Sequence, residues 1–198
     1  MEDNCKVILK ENAVEEIRRF LDENKQYSDK TPLRIIDFLD KEEYEYRVSI
    51  GERDVMCFRI VNNISDDLYI RYSPRLRKTG VYMLLKYDPD VVKQNRYRLL
   101  YACNYNNNGH MHVNATLEEC GVLIWYTMHC EECDQLESLL KLLINEMMNN
   151  VDTEMFNRAV NDDDMDIEEY CKNKDRELRE GVKAMIKKHR EQTEWEPS

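Results

Sequence analysis

The amino-acid sequence predicts an α+β domain: an antiparallel sheet with helices mainly on one face, followed by a charged helical tail. Three observations carry this expectation. Tyr44, Tyr46, Val48 and Ile50 alternate with Glu45, Arg47 and Ser49, the pattern of a half-exposed antiparallel strand. Residues 110–116 and 121–128 are two strand-like runs joined by Leu117-Glu118-Glu119-Cys120, which makes a hairpin. Leu136, Leu139, Leu140, Leu143, Ile144, Met147, Met148 and Val151 then form the strongest helical stripe of the chain.

The elements follow in order. Asn12 and Glu15 make a capping box, and Val14, Ile17 and Leu21 recur at helical spacing, so a first helix is expected over 12–25. Residues 28–32 break it. Strands are expected at 33–39, 44–50, 56–61, 68–72 and 81–87, with turns at 41–43 and 51–54. Pro74-Arg75-Leu76-Arg77-Lys78 is a small basic loop between two of them. Asp88-Pro89 starts a helix, with a capping acid and then a proline where no amide is needed. That helix carries Val92, Leu99 and Cys103 on one face and is expected to end in the turn-rich run 104–109. After the hairpin, Asp134 and Glu137 cap the long stripe, which points on toward Met155 and Ala159. The acidic run at 161–166 sets the expected boundary between a domain at 1–160 and an acidic linker with a charged helical tail at 161–198. Leu178, Val182, Met185 and Ile186 give that tail a short apolar stripe.

Composition narrows the function classes. A net charge of -11 with 35% charged residues argues against a general nucleic-acid binder and against an anchor on an anionic membrane. It suits a soluble acidic protein or a partner for a basic segment. No apolar run approaches the roughly 20 residues of a membrane span, and residues 1–25 lack a signal-peptide pattern, so a cytoplasmic location is expected. Seven irregularly spaced cysteines do not suggest a disulfide framework, and five glycines leave no Gly-rich phosphate loop.

With Thr116 set opposite Gly121, strand alternation sorts the hairpin into two faces. Met111, Val113, Ala115, Val122, Ile124, Tyr126 and Met128 form a core face, expected to pack on Leu136, Leu140, Leu143 and Met147. His110, His112, Leu123, Trp125 and Thr127 fall on the other face, together with His129. A tryptophan and a leucine pointing outward together mark a surface that something covers, so these five residues are the candidate partner-binding set, with the tail stripe of the same chain as the plainer cover.

Leu99-Leu100-Tyr101-Ala102-Cys103-Asn104, the runs 109–116 and 121–128, and the stripe 136–151 together resemble a YbjN-type domain, whose fold is similar to that of type III secretion chaperones. The resemblance covers roughly residues 12–160. It implies an α+β fold, no catalytic residues to carry over, and an acidic dimer that holds extended partner segments. The long charged tail departs from that pattern.

Other constellations are weaker. Cys130-Glu131-Glu132-Cys133 has zinc-like or redox-like spacing, and His129 adjoins it, so His129, Cys130 and Cys133 are the alternative centre, metal- or thiol-dependent. The acids around Cys133 oppose thiolate formation, which counts against redox chemistry. Cys103 with His110 or His112 is a conceivable nucleophile pair, but Cys103 is expected to face the core. Asp162, Asp163, Asp164 and Asp166 lack the glycine of a calcium loop, and a solvated linker is the simpler account. Arg75, Arg77 and Lys78 are suited to an anion or an acidic partner, with a solvated loop as the plainer reading. The expectation is therefore a non-enzymatic interaction module, chaperone-like or adaptor-like, without cofactor or bound metal. Its partner is a protein segment or a second copy in a homodimer, and neither nucleic acid nor a membrane is expected.

Overall fold

The computed structural model describes residues 6–27, 30–51, 54–61, 67–109, 112–129 and 135–193. Seven antiparallel strands form one sheet: β1 (Lys6–Leu9), β2 (Tyr46–Ile50), β3 (Met56–Ile60), β4 (Asp67–Ser73), β5 (Lys78–Lys86), β6 (Asn114–Glu118) and β7 (Gly121–His129). Their order across the sheet is β1-β2-β3-β4-β5-β7-β6, so the hairpin inserts β7 beside β5 and leaves β6 at the edge. The helices are α1 (Lys10–Glu23), α2 (Thr31–Lys41), α3 (Pro89–Gln94), α4 (Arg96–Gly109), α5 (Leu136–Asn149), α6 (Thr153–Asn161) and α7 (Ile167–Thr193). The expected α+β architecture is the observed one.

Strand alternation sends one set of side chains into a single core. Val48, Phe58, Ile70, Val81 and Tyr126 lie in register across β2, β3, β4, β5 and β7. All but the half-buried Tyr126 are fully enclosed. Ile17, Ile36, Leu99, Leu140, Leu143, Met147 and Phe156 reach the same core from the helices. The opposite face contributes nothing to that core, so the helices lie on one side of the sheet.

Several local expectations are corrected. Residues 33–39 are not a strand but lie in α2. Arg34 and Asp37 stand three apart rather than alternating, and Ile35, Ile36 and Leu39 share a buried helical face. Pro32 sits in the first turn, where no amide is missed. The first helix starts at Lys10, straight out of β1, without a side-chain cap, so the Asn12 box is unused. The single helix expected from Pro89 is two helices, separated at Asn95. The second continues through 104–109 instead of ending in a turn. Tertiary contacts outweigh local turn preference there, and they run through Asn107, since the buried Asn106 amide has no hydrogen-bond partner among the described residues. The Asn107 amide donates to the Ala115 carbonyl at 3.0 Å and accepts from the Ala115 amide at 2.6 Å. One side chain thus occupies part of the free edge of β6. The long stripe also breaks: the Asp152 carboxylate accepts from the Met155 amide at 2.9 Å and starts α6 afresh.

The hairpin turn is two residues, Glu119-Cys120, not four, and Glu118 rather than Thr116 faces Gly121. The pairing differs by an even number of residues, so each side chain within β6 and β7 keeps its expected face. Gly121 has φ 149°, and a β-carbon there would run into the Leu85 carbonyl, which explains the glycine. Met111 lies outside the described residues; Val113, Val122, Ile124 and Met128 are buried with Leu136, Leu140, Leu143 and Met147.

The core does not stop at Asn161. Met165, Ile167 and Cys171 are buried with it, and the Cys171 thiol lies 3.8 Å from the Met155 sulfur. Tyr97 and Tyr105 on α4 donate to Glu168 and Asp175 on α7 at 2.7 and 2.9 Å. From residue 179 to 189 every side chain of α7 is exposed. Among the described residues no helix is long and apolar enough to cross a membrane.

Candidate functional site

The face of the sheet away from the helices is assembled by register alone. One row runs Arg47, Arg59, Tyr69, Tyr82, Trp125, Asn114 across β2 to β6. A second runs Asp67, Leu84, Leu123, Thr116, and a third Cys57, Arg71, Gly80, Thr127. Tyr69 and Tyr82 stack with ring centroids 5.3 Å apart and planes 12° apart. Leu84, Leu123, Trp125 and Thr127 are half-buried by their neighbours on the sheet, with no helix above them among the described residues.

Burial on this face has an electrostatic consequence. Burial pushes the Tyr69 phenol up to about 12, the Cys57 thiol beside it adds to the rise, and Arg71 opposes it. Burial raises the Tyr82 phenol in the same way, again with Arg71 opposing. Both rings are therefore neutral hydrogen-bond donors over the working range of pH. Asp67 bridges two cations, with Arg59 at 2.6 Å and Lys86 at 2.5 Å. Arg59 is more than half exposed, so this bridge contributes little stability and mainly fixes side-chain positions.

At the end of β4 and β5, where Arg77 turns the chain with φ 48°, the face dips into a cleft of about 500 Å³. Arg71, Arg75, Lys78, Gly80, Tyr82 and Thr127 line it. Gly80 makes room for the tyrosine: a β-carbon there would sit 2.5 Å from Tyr82 Cε2, so the phenol lies down over the glycine.

Of the partner-binding set expected from sequence, Leu123, Trp125 and Thr127 stand together on this face. His112 does not join them. The chain bends ahead of β6, and His112 Nδ1 meets the Glu146 carboxylate of α5 at 2.9 Å, on the helical side. β6 starts only at Asn114, so strand alternation does not reach His112, and a nearly buried carboxylate draws the ring inward. His110, Cys130 and Cys133 lie outside the described residues, as does the side chain of His129. Among the described residues no group of His, Cys, Asp or Glu is arranged to hold a metal ion.

The other candidates have structural work. Cys103 is buried, and burial pushes its thiol up to about 11, far from a reactive thiolate. Asp166 accepts from the Glu168 and Glu169 amides at 3.0 Å and caps α7. Arg98 holds the Asp162 and Asp163 carbonyls at 2.8 and 2.5 Å. Tyr69, Arg71, Tyr82 and Leu84 escaped the sequence reading, although their signal was present: each alternates with the buried set Leu68, Ile70, Tyr72 and Val81, Met83, Leu85. No protein-family model, no curated protein and no solved structure matches this chain.

Proposed function

We propose that this chain is a non-enzymatic protein-interaction module that docks a protein segment, or a second copy of itself, on the open face of its sheet. The carrying observation is the joined patch of Tyr69, Tyr82, Leu84, Leu123 and Trp125 with no helix over it among the described residues. Isolated domains seldom leave a continuous apolar patch uncovered. The flanking arginines fit too, since tryptophan, tyrosine and arginine dominate the energetics of protein interfaces. The resemblance to YbjN-type domains supports a chaperone-like or adaptor-like role.

Photocrosslinking tests the docking face. A benzoylphenylalanine placed at Leu123 in the native cell is expected to give protein adducts of discrete mass. An adduct at twice the monomer mass identifies a second copy. The same residue placed at exposed Lys141 on the helical side serves as the reference, and indistinguishable patterns from the two positions overturn the proposal.

A further inference from the structure

We infer that the basic cleft beside the aromatic row binds the carboxylates of an extended acidic segment of a partner protein. This rests on the docking-face reading and names the partner's chemistry. Charge carries the argument. The chain has a net charge of -11, yet its open face gathers Arg47, Arg59, Arg71, Lys78 and Lys86 against Asp67 and Glu118. Arg47 stands directly opposite Arg59, and like charges set opposite each other repel. Asp67 is already committed to Arg59 and Lys86.

In the cleft the imbalance is sharper. Arg71, Arg75 and Lys78 form no ion pair with a carboxylate of the described residues. Asp54, next to the cleft-lining Val55, accepts the Tyr27 hydroxyl at 2.8 Å. The Tyr82 hydroxyl lies over Gly80 within the same cleft and adds a neutral donor. Cations and a phenol at the end of an aromatic row call for a ligand with acidic and apolar groups in alternation. An extended peptide offers that spacing, because every second side chain points the same way.

The overall charge selects a short acidic segment over nucleic acid. At physiological salt, charges are screened beyond about 8 Å, so a short segment senses the local cations. A long polyanion also meets the acidic remainder of the chain.

The test uses the full chain carrying Trp195→Phe, which leaves Trp125 as the only tryptophan. Its emission is followed during titration with three eight-residue peptides, alternating leucine with glutamate, glutamine or lysine, and with a ten-nucleotide oligothymidylate. The glutamate peptide is expected to bind at least tenfold more tightly than the glutamine peptide, and progressively less tightly as salt rises. Arg71→Gln with Lys78→Gln should remove roughly tenfold of that affinity, as expected when a charged hydrogen bond is lost. An unchanged circular dichroism spectrum checks the fold of that variant. Equal affinity for the glutamate and glutamine peptides overturns the acidic preference and leaves the docking face standing. Oligothymidylate binding above the glutamate peptide replaces the partner class with nucleic acid. If none of the probes binds and the Leu123 crosslinker also gives no specific adduct, both readings fall.

Discussion

The two faces of the sheet are made by the same strands and differ in almost everything else. Toward the helices, Val48, Phe58, Ile70 and Val81 are wholly enclosed. One residue along each strand, Arg47, Arg59, Tyr69 and Tyr82 point the other way, into a surface of rings and cations. Folding explains the first face, because its apolar area must leave water. On the second, cross-strand pairs such as Tyr69–Tyr82 add only about 0.2–1 kcal/mol each. Aromatic residues held in register where no core needs them are what the proposed docking face rests on.

That contrast is open to direct attack. The largest effect is expected on the inner face: Ile124→Ala removes enclosed methyl groups and should lower stability by about 2–5 kcal/mol, measured from the urea midpoint. A smaller effect, of opposite sign, is expected at Thr79. It lies on the inner face with its hydroxyl buried and without a hydrogen-bond partner among the described residues. Thr79→Val should raise stability by about 1 kcal/mol, since an unpaired buried hydroxyl is a net cost; a loss would reveal a partner for that hydroxyl. The smallest effect is expected beside Ile124. Trp125→Ala should change the stability of the monomer by less than about 1 kcal/mol, the range of surface positions. If Trp125→Ala costs as much as Ile124→Ala, the two faces are not distinct and the open one belongs to the folding core.

Much of this contrast was legible in the sequence, because alternation is local. The hairpin faces survived a wrong turn length, since the slip between Thr116 and Glu118 is even. What was not legible is long-range. Nothing near Tyr82 announces that Trp125 will lie beside it, because β7 enters next to β5 by passing over its own hairpin partner in the strand order. The aromatic row therefore exists only in three dimensions. His112 failed for the reverse reason: its neighbour Glu146 comes from a helix 34 residues away, and the short strand ends before reaching it. The helix at 31–41 was hidden by its content of isoleucine, leucine and phenylalanine, which suits either state until packing decides.

The burial of Met165, Ile167 and Cys171 has a consequence for the rest of α7. Starting a helix in water is the costly step, whereas lengthening one is nearly free. The core therefore supplies the seed, and the exposed turns beyond Lys174 have only to grow from it. Growth of this kind frays from the end far from the core inward, and its weakest residue is Gly181, which gives up about 1 kcal/mol relative to alanine and where an added β-carbon would meet no atom of the described residues within 4 Å. The stripe of Leu178, Val182, Met185 and Ile186 straddles that residue. Leu178, nearest the seed, is thus the member whose helical geometry is best secured, and the three beyond Gly181 are held in line only as long as the arm stays wound.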